Sequence, residues 1–301
     1  MKTKLAIGIA AGVLAAVVVG WWHFAQSDPT TPQHILDTGD GNASVFSFQD
    51  YAAVLKVHVD ERGMVNYEDL KAQRQRLDSF IAALGTADPE EYDTWDEKEQ
   101  IALWINAYNA LTLVTIIDHY PIEPVFFELP LLPENSIRQI PGVWDQLQFT
   151  VIGRKLTLDQ IEHEILRKEF SEPRVHMALV CAAISCPPLR NEPFAGHKLD
   201  NQLDDQTRRF LSGPWMFRIE RDRRRVFLSS IFDWYGEDFV RPYGTNEKFA
   251  GHSPAERAVL NFVSRYLDVG DREYLAREKY KIKYLYYDWS LNKQGEVTRL
   301  S

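Results

Sequence analysis

Apolar residues dominate one long stretch of the chain, "TWDEKEQIALWINAYNALTLVTIIDHYP", which runs from Thr94 to Pro121. Thr94 with Glu97 three residues later is typical of a capping box at a helix N-terminus, and Pro121 marks the helix end. After Gln100, apolar residues occupy nearly every direction around the helix axis. This pattern predicts a long central helix that is buried on most of its sides.

Two amides interrupt the apolar surface of this predicted helix. Asn106 and Asn109 lie three residues apart, so they share one face of the helix. A buried amide needs hydrogen-bond partners. The two side chains are therefore expected either to brace neighbouring backbone or to line a pocket.

A second helix is predicted over "TLDQIEHEILRKEF", where Thr157 and Gln160 form another capping box. At 100° per residue, the apolar residues of this segment define an inward arc that also contains Glu162. Burying an unpaired carboxylate is costly, so Glu162 needs a hydrogen-bonding or cationic partner. Two interpretations stay open, a functional carboxylate and a structural salt bridge to an arginine such as Arg174 or Arg190.

Short apolar runs predict the strands. "VHMALVC", Val175 to Cys181, is almost uninterrupted and predicts a central strand apolar on both faces, which would place His176 in the interior. Further strands are predicted in "LQFTVIG", in "FRIERDRRRVFLSS" as a hairpin, and in "KYKIKYLYYDWSL", with a capped helix at "SPAERAVLNFVSRYL". The order predicts an α+β fold with helices packed on a mostly antiparallel sheet.

The N-terminus has the pattern of a targeting segment. Lys2 and Lys4 precede an uncharged run from Leu5 to Trp22, which fits either a signal peptide or a membrane anchor over residues 1–26. Residues 27–44 are predicted to form a linker, and residues 45–301 are predicted to form a single globular domain. The positive-inside rule predicts an exported protein on the periplasmic side of the inner membrane, anchored through the N-terminal segment or soluble after cleavage.

Composition narrows the classes of partner. The chain has 43 acidic and 34 basic residues and a net charge of −9, which argues against a nucleic-acid partner. "HEILR" lacks the second histidine of a zinc-protease motif, and the chain has no phosphate-loop or dinucleotide fingerprint. No metal and no other cofactor is therefore predicted.

Both cysteines lie in "RVHMALVCAAISCPPLR" and allow three interpretations. Cys181 and Cys186 are close enough in sequence to form a disulfide around a turn, or they can be two packing thiols. In the third interpretation Cys186 is a nucleophile, His176 its base and Glu162 the group that orients His176. The amides of the central helix would then stabilise an oxyanion.

Six motifs in order resemble one known family. They are "LWINAYNALTL", "GRKLTLDQIEHEILR", "PRVHMALVCAAISCPPLR", "LDDQTRRFL", "SSIFDWYGEDF" and "YDWSLN". Together they resemble the domain-of-unknown-function 547 family, DUF547, over most of the chain from about Tyr51 to Asn292. That family looks like a distant relative of the papain and transglutaminase superfamily, which implies an α+β fold with a thiol active site.

The resemblance implies roles for individual residues. The family pattern falls on Asn106, Tyr108, Asn109, Glu162, His163, Arg174, His176, Cys186, Pro187, Asp233, Trp234 and Tyr235. It supports a catalytic set of Cys186, His176 and Glu162. Binding roles are expected for Asn106, Asn109, Arg174, Trp234 and Tyr235. Cysteine is also common in the family at the position of Cys181, so a Cys181–Cys186 disulfide stays open as an alternative.

Three functional hypotheses follow from these residues. The first is an extracytoplasmic thiol hydrolase or transferase that acts on an amide or peptide bond of a small peptide, a thiol-containing peptide or an envelope fragment. The second is a catalytically inactive module on the same scaffold that binds a peptide or an envelope protein. The third is a thiol–disulfide redox partner using Cys181 and Cys186, against which the absence of a C-x-x-C motif argues.

Overall fold

A computed structural model describes residues 46–123 and 133–295 of the chain. The predicted signal or anchor segment and the predicted linker lie outside the described residues. These described residues form one compact unit.

The centre of this unit is a long helix, which confirms the prediction from the apolar pattern. Helix α5, Glu97–His119, buries every residue from Ile101 to Ile117. Among the described residues it is the one helix long and apolar enough to cross a membrane, and 94% of its most apolar stretch is buried inside the protein. A core helix has the same length and composition, so α5 carries no conclusion about a membrane.

The start of α5 differs from the prediction. Asp96, and not Thr94, caps the helix, because the Asp96 carboxylate accepts the Glu99 backbone N–H at 2.8 Å and the Glu99 carboxylate accepts the Asp96 N–H at 3.1 Å. The Thr94 hydroxyl donates instead to the Glu91 carbonyl at 2.7 Å, at the end of the preceding helix. The capping box therefore lies two residues later than the Thr94–Glu97 spacing indicated.

Shorter helices surround α5. Those before it are α1 Gln49–His58, α2 Tyr67–Ala72, α3 Gln75–Thr86 and α4 Pro89–Asp93. Those after it are α6 Leu199–Ser212, α7 Ser230–Trp234, α8 Val240–Tyr243, α9 Pro254–Ser264 and α10 Val269–Arg277. Single 3₁₀ turns cover Ile137–Gln139, Pro173–Met177, Gly196–Lys198 and Gly236–Phe239. Helix α9 confirms the predicted capped helix, because Ser253 and Glu256 form its capping box.

Two small sheets complete an α+β fold and confirm the predicted class. Strands β1 Phe149–Val151 and β2 Arg154–Leu156 form an antiparallel hairpin. Strands β3 Phe217–Glu220 and β4 Arg225–Leu228 form the predicted hairpin. Strand β5 Lys281–Tyr284 pairs with β4 in parallel, so the three-stranded sheet is mixed.

The predicted central strand at Val175–Cys181 is wrong. The chain there forms the 3₁₀ turn Pro173–Met177 and then an irregular loop. Asn109 of α5 supplies the hydrogen bonds that a neighbouring strand would otherwise make, because its amide donates to the Ala178 carbonyl at 3.0 Å and accepts from the Val180 N–H at 2.9 Å. A buried apolar run therefore keeps its backbone satisfied without a sheet.

The helix that carries Glu162 forms as predicted at its start and departs from regularity afterwards. Thr157 and Gln160 make the reciprocal bonds of the capping box, at 3.0 and 3.2 Å. The residues that follow, Gln160–Leu166, wind as a π-helix. Glu162 is buried on its inward side, as the helical arc indicated. Such wide turns are rare and occur frequently at functional sites.

Candidate active site

One cavity of about 340 Å³ gathers most of the chemically active side chains. Its aromatic lining consists of Tyr108, Trp144, Trp234, Tyr235, Tyr287 and Trp289. Its ionisable lining consists of Arg138, Asp159, Glu162, His163, His176 and Cys181. An open cavity with an aromatic wall and several convergent polar groups is the usual form of a small-molecule site.

A carboxylate orients the buried imidazole of His176. The ring atom Nε2 lies 2.7 Å from Oδ2 of Asp238, a residue of the 3₁₀ turn Gly236–Phe239. His176 lines the cavity, whereas Asp238 lines a smaller depression beside it. With the Nε2 proton donated to Asp238, Nδ1 is the ring atom that can accept a proton.

Arg167 holds Asp238 in place from the other side. Its guanidinium donates to both carboxylate oxygens, at 2.6 and 2.9 Å. Burial works against ionisation of Asp238, but the hydrogen bonds from His176 and Arg167 outweigh it and hold the pKa of this carboxyl well below its usual range. Asp238 is therefore a fixed anion at neutral pH, which suits it to holding an imidazole that gains charge.

Tyr235 covers one face of the His176 ring, at a centroid distance of 4.1 Å. Burial, the nearby Glu162 charge and a hydrogen bond with Glu162 together raise the pKa of Tyr235. Glu162 therefore contacts Tyr235. The predicted direct pairing of Glu162 with His176 is corrected, because the carboxylate at hydrogen-bond distance from His176 is Asp238.

The structural salt bridge predicted between Glu162 and an arginine such as Arg174 or Arg190 is also not observed among the described residues. Arg174 pairs with Glu172, Asp200 and Asp204. Arg190 pairs with Glu192 and Asp205. Both arginines are thus occupied by other carboxylates. The predicted binding role of Arg174 has no support in this arrangement, because Arg174 is not among the residues that line the cavity.

The two cysteines are free thiols in direct contact. Their Sγ atoms lie 2.6 Å apart, and the Tyr287 hydroxyl lies 3.3 Å from the Cys181 sulfur and 3.1 Å from the Cys186 sulfur. Cys181 is half-buried and lines the cavity. Cys186 is buried beneath it and lines a different, smaller depression. Whether the pair oxidises to a disulfide stays a prediction.

Backbone groups converge on the inner sulfur. The N–H groups of Cys181 and Ala183 point at Cys186 Sγ, at 3.1 and 3.4 Å. Burial disfavours a thiolate at Cys186, yet the hydrogen bonds from Cys181, Tyr287 and these two amides together lower its pKa. The pKa of Cys181 is raised, mainly by its hydrogen bond to Cys186 and by burial. Cys186 is therefore the thiol of the pair that loses its proton first, and Cys181 is the one that keeps it.

The loop between the cysteines is held in a strained shape. Ala182 has φ of 59°, in the left-handed region that residues other than glycine rarely adopt. The segment after β5 fixes it there, because Asn292 N–H donates to the Ala182 carbonyl at 3.0 Å and Ile184 N–H donates to the Ser290 carbonyl at 2.8 Å. Strain of this kind persists only where neighbouring structure enforces it, and it clusters at functional sites.

The two amides of α5 are used by the backbone and do not line the cavity. Asn106 donates to the Phe194 carbonyl at 2.8 Å and accepts from the Phe194 N–H at 2.9 Å. Asn109 braces Ala178 and Val180 in the same manner. Of the two alternatives, bracing is what the structure shows. The oxyanion role predicted for these amides does not fit their positions.

Residues 92–211 match the model of the family described as "Protein of unknown function, DUF547". This segment belongs to the DUF547 family. No curated protein and no solved structure matches the chain. The DUF547 segment contains Glu162, His176 and both cysteines. Within the described residues, no group of three or more metal-ligating side chains is placed to hold a metal ion.

The site also includes residues that no sequence pattern singled out. Asp238, which orients His176, and Tyr287, which contacts both sulfurs, follow the matched DUF547 segment. Both lie inside motifs that resemble the family, "SSIFDWYGEDF" and "YDWSLN". Their place in these motifs is the sequence signal that indicates a role in the site, since neither residue stands out by local periodicity. Trp234 and Tyr235, which were predicted to bind, do line the cavity.

Proposed function

We propose that the protein is a thiol-dependent hydrolase or transferase that forms a thioester with the acyl part of an amide or peptide substrate. One observation carries the proposal: Cys181, whose sulfur contacts that of Cys186, lines the same open cavity as His176, and an anionic carboxylate holds the His176 ring. These are the three parts that nucleophilic catalysis by cysteine requires. The N-terminal sequence supports action outside the cytoplasm, on a small peptide, a thiol-containing peptide or an envelope fragment.

Cys181 is the better candidate for the attacking atom, although the sequence favoured Cys186. Cys181 lines the cavity, whereas Cys186 is 4% exposed and lies behind it. Cys186 lies where it can stabilise the reactive pair, because its sulfur receives the donors that favour negative charge. We therefore assign attack to Cys181 and charge stabilisation to Cys186.

The reaction would proceed in two balanced steps. Nδ1 of His176 first takes one proton from the sulfur pair, which leaves the negative charge on Cys186. As the Cys181 sulfur bonds to the carbonyl carbon of the substrate, the Cys181 proton moves to Cys186. The bond from that carbon to the leaving nitrogen breaks, and His176 returns the proton to the departing amine. Water then attacks the thioester in a hydrolase, or an amine attacks it in a transferase, and the Cys181 thiol is restored.

Acylation by p-nitrophenyl acetate tests this assignment without knowledge of the natural substrate. Release of p-nitrophenol and mass analysis of the protein report the rate and the acetylated residue. We expect one acetyl group on Cys181, no acetylation in Cys181→Ser, and slowed acetylation of Cys181 in Cys186→Ser. His176→Ala should slow the reaction by about 100-fold, the usual contribution of a general base.

Two outcomes would reject the proposal. The first is release of p-nitrophenol by the Cys181→Ser protein at the wild-type rate, and the second is a wild-type protein that reacts no faster than a free thiol. Either result would favour the alternative of a catalytically inactive module that binds a peptide or an envelope protein. An acetyl group found on Cys186 instead would identify Cys186, the residue predicted from the sequence, as the nucleophile.

A second candidate function has its own supporting observation, the direct contact of the two sulfurs. In thiol–disulfide exchange, Cys181 would attack a substrate disulfide and release one thiolate. Cys186 would then attack the mixed disulfide at the Cys181 sulfur and release the second. Equilibration with glutathione mixtures tests it: a Cys181–Cys186 disulfide that forms at a defined potential supports exchange, and its absence at all ratios excludes it.

A further inference from the structure

Arg138 differs from the other charged residues of the cavity in its partners. Asp159 lies 3.8 Å from His163, His163 lies 3.0 Å from Arg167, and His176 binds Asp238. No carboxylate in residues 46–123 or 133–295 forms an ion pair with Arg138. Its guanidinium lies instead over the ring of Trp289, 5.0 Å from the centroid.

Stacking on an aromatic face leaves the donors of a guanidinium available. The N–H groups of arginine point outward in the plane of the group, so a ring beneath that plane blocks none of them. A planar carboxylate can then accept two parallel hydrogen bonds from the same edge. Trp289 is itself supported by neighbouring rings, because Trp144 lies 5.9 Å and Trp234 6.1 Å from it.

The backbone at Arg138 is fixed before any ligand arrives. Arg138 is the middle residue of the 3₁₀ turn Ile137–Gln139, which the Ser136 side chain caps. Ser136, Ile137 and Gln139 are all buried, whereas Arg138 is exposed. The turn therefore anchors its flanking residues in the core and presents the guanidinium to the cavity. The backbone of Arg138 is thus already ordered when a ligand binds, which lowers the entropic cost of binding.

The remaining charges of the cavity restrict the kind of anion. Asp159 and Glu162 line the same cavity, and they would repel a doubly charged group such as phosphate more strongly than a carboxylate. The three tryptophans favour a ligand with an apolar or planar side chain next to its carboxylate. A volume of about 340 Å³ lies at the small end of ligand cavities and suits a dipeptide or tripeptide.

We infer that Arg138, stacked on Trp289, binds the free carboxylate of a short peptide whose neighbouring side chain packs on the tryptophan wall. The inference rests on the proposed function in one respect, since it makes this peptide the substrate whose amide bond Cys181 attacks. Binding itself needs no thiol chemistry, so the two proposals can fail separately.

Binding of N-acetyl-alanyl-phenylalanine and of its C-terminal amide to the Cys181→Ser protein tests the inference, with tryptophan fluorescence as the readout. The acid should bind at least about tenfold more tightly than the amide, as expected for a bidentate charged contact. Arg138→Gln should remove this preference by weakening binding of the acid alone, and Arg138→Lys should retain part of it. Arg154→Gln, at an exposed hairpin position outside the cavity lining, is the control and should keep the preference.

Equal affinities of acid and amide, or no binding of either, would overturn the inference. So would an Arg138→Gln variant that weakens both ligands equally, because this would indicate a general role in cavity shape. Inorganic phosphate should displace the acid no better than acetate does, and stronger displacement would contradict the carboxylate assignment. An unaltered acid preference together with failed acetylation of wild type would reject the thiol chemistry and leave the Arg138 site standing.

Discussion

His176 donates its Nε2 proton to Asp238 across 2.7 Å, and this pairing joins two elements that are 62 residues apart in the chain. The contact sets the tautomer of the imidazole and leaves Nδ1 to exchange protons. It also gives the histidine a carboxylate partner that stays ionised, since Arg167 binds both oxygens of Asp238. The proposed chemistry depends on the Asp238 carboxylate more than on any other carboxylate near the cavity.

Replacing Asp238 with asparagine should impair acylation. An amide at this position can bind His176 while holding the wrong tautomer, so Nδ1 would carry the proton that it should accept. We expect acetylation by p-nitrophenyl acetate to slow by about 100-fold. Asp233→Asn, at an exposed position in the same motif, is the matched control and should react at the wild-type rate. A normal rate in Asp238→Asn would show that His176 needs no anionic partner.

The same substitution should change the pH dependence of stability. The folded protein holds the pKa of Asp238 below its ordinary value, so this carboxylate stabilises the fold above about pH 4 and loses that contribution as the pH falls. We expect Asp238→Asn to lower the free energy of unfolding by about 2 kcal/mol at neutral pH. Urea unfolding should show this deficit shrinking toward pH 3, which is about one unit below the ordinary carboxyl pKa. A constant deficit across that range would contradict the assignment.

Tyr287→Phe should make the thiol pair less acidic. The Tyr287 hydroxyl lies 3.1 Å from Cys186 Sγ and is one of the donors that lower its pKa. Loss of one hydrogen bond to a thiolate should move the midpoint of the pH profile for iodoacetamide alkylation upward by about one pH unit. Tyr286→Phe is the control, because Tyr286 is 74% exposed. An unchanged profile in Tyr287→Phe would remove this tyrosine from the site.

A comparison of Asn109→Ala with Asn106→Ala distinguishes an effect on stability from an effect on the geometry of the site. Each substitution leaves one buried carbonyl and one buried N–H without a partner, at Ala178 and Val180 or at Phe194. Both should lower the free energy of unfolding by about 2–4 kcal/mol in urea titrations. Only Asn109→Ala should change the alkylation rate of Cys181, since Asn109 holds the residue next to it. Equal alkylation rates in the two variants would show that the loop needs no brace from α5.

Local patterns predicted three of the helices and the β3–β4 hairpin well, because the rules behind those patterns act within one or two turns of chain. The apolar surround of α5, the capping boxes at Thr157 and Ser253 and the inward direction of Glu162 all depend on neighbours in sequence. The segment Val175–Cys181 was mistaken for a strand because an apolar run shows that a segment is buried and says nothing of what satisfies its backbone. That partner, Asn109, lies 71 residues away from Val180 in the chain.

The composition of the candidate site was decided by tertiary packing. The sequence predicted that the site contains a cysteine sulfur, a histidine imidazole and the aromatic residues Trp234 and Tyr235. Only the fold determined which sulfur meets the cavity and that Asp238, not Glu162, binds His176. Cys186 and Tyr287 meet across 101 residues of chain. The physical reason is that hydrogen bonds and stacking operate over a few ångströms in space, and no local periodicity records which distant residues the packed core brings within that range.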